Sequence, residues 1–270
     1  MENLRVEGPN TSFSCDVTDG LNWSSVHSQL SNATIAMESL HADIIDLRTS
    51  NSSISGRFEG GQIELDTSNG SISAKLGVRE AQDGRQSAVK TRTANSSINL
   101  HVDATQTTKG LVMENTTKNG KIVLGTLLGP ASMASSIKTS TANGKIEFNL
   151  DASQTGQPLE VNVKTTNGSI VSSMMVPKYH AFKGVAESSN GSVTVNVTED
   201  FQGRFDLETS NNSAIVEGSN VQFDHDKKSS KRGWRGQGAS EVKIFTSNNQ
   251  ANLRIYPTDE SLASDSKMQQ

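Results

Sequence analysis

Thr117-Lys118-Asn119-Gly120-Lys121-Ile122-Val123-Leu124 returns twenty-four residues later as Thr141-Ala142-Asn143-Gly144-Lys145-Ile146-Glu147-Phe148. The same Thr-x-Asn, followed by Gly, Ser or Asn, stands at Thr49/Asn51, Thr67/Asn69, Thr93/Asn95, Thr165/Asn167, Thr209/Asn211 and Thr246/Asn248. Ser188/Asn190 is the motif with serine in place of threonine, and Asn32 is a degenerate first copy. From Asn32 onward the asparagines are 19, 18, 26, 24, 24, 24, 23, 21 and 37 residues apart. A period near 24 marks an architecture in which each unit completes its core by stacking on the next.

Around each asparagine the apolar residues follow a two-residue period. Three positions after it stand Ile35, Ile54, Ile72, Ile98, Ile122, Ile146, Ile170, Val193, Ala214 and Ala251. Six positions before it stand Ile45, Ile63, Val89, Met113, Ile137, Val161, Phe205 and Val242. Alternation on both sides of a turn reads as strand, turn, strand. Only Ser31–Leu47 carries a trace of helical periodicity. The chain is read as all-β.

Asn and Gly accept positive φ at least cost, so the repeated corner is expected to hold its asparagines in that conformation. Two geometries fit: a two-residue hairpin, or the corner of a β-solenoid whose stacked asparagines form an amide ladder. The solenoid is favoured, because 20–24 residues suit one coil and stacked coils bury small side chains efficiently.

Composition supports a thin core. Apolar residues make up 33% and aromatics 4%, while 38 Ser, 23 Thr, 22 Asn and 22 Gly dominate the rest. A formal charge of −4 argues against whole-surface attraction to nucleic acid or anionic membrane. One cysteine, Cys15, excludes an intramolecular disulfide and CxxC metal spacing. The N-terminus lacks the basic-then-apolar run of a secretory signal, and no segment reaches 18 consecutive apolar residues. Eleven Asn-x-Ser/Thr sequons occur, read as by-products of the repeated turn.

The stretch Glu187-Ser-Ser-Asn-Gly-Ser-Val-Thr-Val-Asn-Val resembles fungal members of an adhesin-like β-repeat domain family. So do Phe201-Gln-Gly-Arg-Phe-Asp-Leu-Glu-Thr-Ser-Asn, Ala214-Ile-Val-Glu-Gly and Val242-Lys-Ile-Phe-Thr-Ser-Asn. That family is similar to bacterial adhesin-like β-helix proteins. The resemblance implies a β-helical fold and a surface-interaction role, and it supplies no catalytic residue.

Motifs for chemistry are sparse. Phosphate-binding, dinucleotide, metalloprotease and EF-hand signatures are missing, and His27, His41, His101, His180 and His225 are scattered. His225 between Asp224 and Asp226 reads as a solvated loop rather than a metal site. The wide interval between Asn211 and Asn248 holds Lys227, Lys228, Lys231, Arg232, Trp234 and Arg235, punctuated by Gly233, Gly236 and Gly238. These six residues form the candidate interaction loop, with an aromatic available for stacking.

The sequence therefore predicts a single-domain β-solenoid of about ten repeats, with no enzymatic activity, cofactor or metal. Residues 1–29 are an N-terminal segment or cap, 30–257 the repeat domain with a charged loop insertion at 219–240, and 258–270 a polar tail. The expected role is adhesin-like binding of a protein or glycan through a polar surface, with no nucleic-acid partner and no transmembrane segment. Self-association through open solenoid ends is the alternative, and a polysaccharide-active β-helix enzyme the second. Cell-surface placement follows from the resemblance, and cytoplasmic placement from the missing signal.

Overall fold

Each repeat supplies two short runs of alternating apolar residues, and neither run can bury its apolar side alone. Stacking solves this. In the computed structural model, which describes residues 2–10, 12–15, 22–178 and 180–257, the runs pile into two facing parallel stacks around one core.

Sheet 1 takes β1 (Asn3–Gly8), β3 (Trp23–Leu30), the C-terminal half of β4 (Ile35–Thr49), β6 (Gln62–Thr67), β8 (Ser87–Thr93), β10 (Leu111–Thr117), β12 (Ser135–Thr141), β14 (Leu159–Thr165) and β16 (Phe182–Ser188). Sheet 2 takes β2 (Phe13–Cys15), the N-terminal half of β4, β5 (Ile54–Gly60), β7 (Ile72–Val78), β9 (Ile98–Ala104), β11 (Ile122–Leu128), β13 (Ile146–Asp151), β15 (Ile170–Met175) and β17 (Val193–Thr198). This is a β-solenoid, and all of these neighbours are parallel.

Register follows the repeat. Ile98, Ile122, Ile146 and Ile170 face one another rung by rung, and each is fully buried. The sequence separates residues 1–29 from the repeats, but β1 to β3 extend the same two sheets. The trace of helical periodicity in Ser31–Leu47 is overridden, and these residues fall largely in the long strand β4. Neighbouring strands on both sides hold it extended, and tertiary pairing outweighs a local pattern.

The Thr-x-Asn corner is always four residues long, for example 94–97, 118–121 and 142–145. The opposite corner absorbs all the length variation. It is absent within β4, is Gly61 alone between β5 and β6, and runs six to eight residues in the coils from β7 to β16. The early spacings of 19 and 18 thus reflect short second corners, and the 26 that follows reflects the eight-residue corner between β7 and β8.

The corner asparagines do form a ladder. Each Nδ2 donates to the Oδ1 of the coil before it, as Asn119 to Asn95 at 2.8 Å, Asn143 to Asn119 at 2.7 Å and Asn167 to Asn143 at 2.7 Å. Asn10 extends the ladder as an unforeseen first rung, accepting from Asn32 at 3.0 Å. The expected positive φ is corrected, however. Among the described residues only Asn10 and Asn220 combine a side chain with positive φ. Glycine follows the asparagine for another reason: a Cβ at Gly144 would lie 1.8 Å from the Gly120 carbonyl oxygen of the coil beneath. Close stacking requires it there.

The threonine completes the motif. Thr141 Oγ1 donates to the Gly120 carbonyl at 3.1 Å, and Thr117, Thr165 and Thr246 make the same bond to Ser96, Gly144 and Gly191. These hydroxyls are buried. Thr-x-Asn-Gly therefore joins coils through a buried hydroxyl, an exposed amide and a missing side chain.

Chain order breaks at the C-terminal end. The last coil, β22 (Ser240–Thr246) and β23 (Ala251–Tyr256), slots between the β16–β17 coil and the coil of β18 (Gly203–Thr209) and β19 (Ala214–Glu217). The ladder follows space rather than sequence, running Asn190, Asn248, Asn211 with bonds of 2.6 and 2.8 Å.

The 219–240 insertion is mostly a β-hairpin rather than a loop. β20 (Val221–Lys227) and β21 (Ser230–Arg235) pair antiparallel, and β21 adds antiparallel to the free side of β18. The carbonyls of Lys228 and Ser229 at its tip accept from Ala214 N at 2.8 Å and Thr209 N at 2.9 Å. This end of sheet 1 is not the uncapped coil that end-to-end stacking would use. Its outermost strand carries Asp224, His225, Asp226 and Lys227 with a bulge between Phe223 and His225, features that discourage further strand addition. The polar tail at 258–270 lies outside the described residues. Among the described residues, no helix is long and apolar enough to cross a membrane.

Candidate functional site

The hairpin uses much of its charge on itself. Arg235 is buried, its guanidinium donating to the carbonyls of Glu199, Phe201 and Ser219. It is a structural clamp. Arg232 Nε bonds Asp206 Oδ1 at 3.0 Å, a contact that raises the guanidinium further above its already high pKa. Lys231 pairs with Asp226 and sits 5.3 Å from the Phe223 ring centroid. Phe223 in turn meets the buried Phe205 edge-on, centroids 5.6 Å apart. Gly233 lies between the two phenylalanines in register. Lys227, Lys228 and Trp234 remain exposed. Of the six predicted residues, Lys231, Arg232 and Arg235 serve the cap, and four, Arg232 among them with Lys227, Lys228 and Trp234, are exposed.

The outer face of sheet 1 neutralises itself. Acidic and basic residues pair between rungs: Arg48 lies 3.4 Å from Glu64, Lys90 3.9 Å from Glu64, Arg92 4.0 Å from Glu114, and Lys164 2.9 Å from Glu187, and where Asp46 stands opposite Glu64 the Arg48 guanidinium contacts both. Pairs of this kind add little stability, but they leave little unbalanced charge to attract a ligand.

The outer face of sheet 2 is different. Arg57, Lys75 and His101 stand directly opposite one another on β5, β7 and β9. Adjacent strands are about 4.8 Å apart, so the two cations repel. Neither Arg57 nor Lys75 takes part in an ion pair found among the described residues. Beside them lies a hollow of about 380 Å³, lined also by Glu38, Ser73 and Asn99. A second hollow of about 450 Å³ continues from Asn99 and His101 over Gly125 to Val123, Leu127, Asn149, Ser173 and Met175. Gly125 leaves the floor open next to His101, whose Nδ1 would be 3.4 Å from a Cβ there. The two hollows share Asn99 and His101 and form one groove along the stack, with Arg57, Lys75 and the carboxylate of Glu38 at one end and apolar and amide groups with Asp151 at the other.

The hairpin's basic residues are clustered in sequence between Lys227 and Arg235. The groove residues are dispersed, yet each occupies the sixth position after its asparagine: Arg57 after Asn51, Lys75 after Asn69, His101 after Asn95, Gly125 after Asn119. Aligning the repeats on that position exposes the column.

Among the described residues, no three His, Cys, Asp or Glu side chains gather to hold a metal ion. Comparison with protein-family models, with curated proteins and with solved structures returns no match.

Proposed function

We propose that this chain is an adhesin-like binding scaffold whose sheet 2 groove takes an extended, negatively charged glycan. The observation that carries this reading is the Arg57–Lys75–His101 column. Placing like charges face to face costs stability, and no ion pair offsets it in Arg57 or Lys75. A polyanion laid across the rungs would meet Arg57 and Lys75 about 4.8 Å apart, with the His101 imidazole as a hydrogen-bonding group on the next rung. Ser73, Asn99, Asn149 and Ser173 offer hydroxyl and amide partners along the same line, and Val123, Leu127 and Met175 offer apolar contact to the C–H faces of sugar rings. Stacked coils hold these groups without loop rearrangement, which lowers the entropy cost of binding.

The test is binding to immobilised polygalacturonate against neutral dextran at several salt concentrations. The reading expects salt-sensitive binding to the polyanion, weak binding to dextran, and at least a tenfold loss in the Arg57→Glu/Lys75→Glu double variant. Equal affinity for both polymers, or indifference to the double substitution, would contradict it.

A further inference from the structure

β4 departs from strict alternation twice, at Asp43 and Ile44, where it passes from sheet 2 to sheet 1, and at Glu38 and Ser39. Its pairing with β5 shifts between Met37 and Leu40, so that Glu38 and Ser39 form a bulge. Bulges recur beside active sites because the extra residue re-aims a side chain. Here Ser39 Oγ comes 2.9 Å from His41 Nε2. The other ring nitrogen, Nδ1, lies 3.1 Å from Glu59 Oε2 on β5, where His41 and Glu59 face each other in register. Glu59 is held in turn: Arg79 Nε stands 3.2 Å from its Oε1, and Arg79 also reaches its backbone carbonyl at 3.4 Å. Gly77, opposite Glu59 on β7, leaves room for that carboxylate; a Cβ there would lie 3.1 Å from Glu59 Cγ.

The connectivity matters more than the proximity. With the proton on Nδ1, the imidazole donates to Glu59 and presents the Nε2 lone pair to the serine hydroxyl. That is the division of roles a nucleophile, a general base and an orienting carboxylate require. His41 and Glu59 keep only 24% and 32% of their side-chain surface exposed, which limits competition from water. The 380 Å³ hollow lies beside the same bulge: Glu38 and Arg57 line it, and Ser39, His41 and Glu59 flank it without lining it. Arg57 stands across from the bulge, between the residues that pair with Met37 and Leu40. Its positive charge suits an oxyanion or an acidic carrier.

We infer that Ser39, His41 and Glu59 form an ester-hydrolysing triad at the bulge beside the groove. Ser39 Oγ adds to the ester carbonyl carbon while its proton passes to His41 Nε2. The carbonyl–alkoxy bond breaks, and the departing alkoxide takes that proton from Nε2. Water then adds to the acyl-serine, giving a proton to Nε2; collapse returns that proton to Ser39 Oγ and releases the carboxylic acid. Ser39 and His41 are the catalytic residues, and Glu59 is a positioning residue. The polar groups beside the bulge, among them Glu38, Arg57 and Ser73, favour a short acyl group, such as acetyl, on a polar carrier. This departs from the expectation of a chain without catalytic residues, and it does not depend on glycan binding.

The test treats the purified full chain with a fluorophosphonate probe and with p-nitrophenyl acetate and octanoate. The structure predicts covalent labelling located at Ser39 by peptide mass, and faster turnover of acetate than octanoate. Ser39→Ala abolishes labelling, and His41→Gln lowers kcat/KM by at least about 10²-fold. Glu59→Gln lowers kcat with little change in KM, and Glu59→Asp restores part of it, a pattern that loss of packing would not give. Ser136→Ala, on the outer face of sheet 1, leaves the rate unchanged. Melting curves identify any variant that has unfolded, and a second substitution at the same residue then replaces it. Label elsewhere than Ser39, hydrolysis surviving in Ser39→Ala, or a folded His41→Gln with the wild-type rate would each overturn the triad.

Discussion

The two outer faces of this solenoid are built on the same rungs and solve the problem of charge in opposite ways. On sheet 1, Glu64 lies between Arg48 and Lys90, and Glu187 answers Lys164. On sheet 2, Arg57 meets Lys75 and Lys75 meets His101. Parallel in-register stacking sets every residue beside its counterpart one repeat away, so a repeat protein either pairs opposite charges between rungs or accumulates like ones. Sheet 1 pairs opposite charges. Sheet 2 accumulates like ones where the groove begins, then gives way to Gly125, Asn149 and Ser173. Sheet 2 is not devoid of ion pairs, since Glu147 binds Lys121 at 2.7 Å and Lys145 at 2.8 Å. Those lysines come from the corners and leave the groove column untouched.

The comparison presumes that inner and outer sides of one strand are distinct, and that premise carries the largest expected effect. Ile122→Asp buries an unpaired charge in the isoleucine column and should cost several kcal/mol, about 4. Val123→Asp, the next residue but facing outward, should cost less than about 1 kcal/mol. Urea unfolding measures both. Similar midpoints would mean the strand faces are misassigned.

The corners that hold both faces in register come next. Thr141→Val leaves the Gly120 carbonyl without its buried partner and should cost about 1–3 kcal/mol. Asn143→Ala removes exposed ladder bonds only, and should cost about 1 kcal/mol or less. A larger loss from Asn143→Ala, read from the same unfolding curves, would put the amide ladder ahead of the buried hydroxyl.

How far these features were legible follows from what periodicity can carry. The isoleucine column, the two-sided alternation and the asparagine ladder all recur at fixed offsets, so the repeat alone placed them. The conformation of the corner did not follow, because Asn-Gly suggests positive φ while Gly144 is demanded by the carbonyl beneath it. The slot taken by β22 and β23 was hidden as well. Their Thr246-Ser-Asn motif fits any rung, and only the hairpin docked on β18 fixes which. Ser39 and His41 stand two apart in sequence, but their meeting with Glu59 depends on a bulge, which is a break in the period.

A smaller effect separates the faces by sign. Lys75→Gln relieves repulsion from Arg57 and should stabilise the fold by a few tenths of a kcal/mol, at most about 1. Lys90→Gln on sheet 1 loses its partner Glu64 and should destabilise by about 0.2–1 kcal/mol. Shifts of the same sign in thermal melts at low salt would remove the distinction.

The smallest effect is in acid. Burial pushes the Glu147 carboxyl up, but hydrogen bonds from Lys121 and Lys145 outweigh it and hold its pKa below the usual carboxylate value. A lowered folded-state pKa contributes stability that is complete above the unfolded value and is lost as pH falls through the folded one. Glu147→Gln should therefore flatten the stability profile below about pH 4 and leave its shape near neutrality unchanged. An identical acid limb in the variant would show that the corner lysines contribute nothing there.

The central claim, that sheet 2 rather than sheet 1 or the hairpin is the binding face, is most directly tested by amide hydrogen exchange with and without polygalacturonate. Protection should concentrate in peptides covering β5, β7 and β9 and extend into β11, with β8, β10 and β12 unchanged. Protection centred on the 221–235 hairpin, or spread equally over both sheets, would contradict the account.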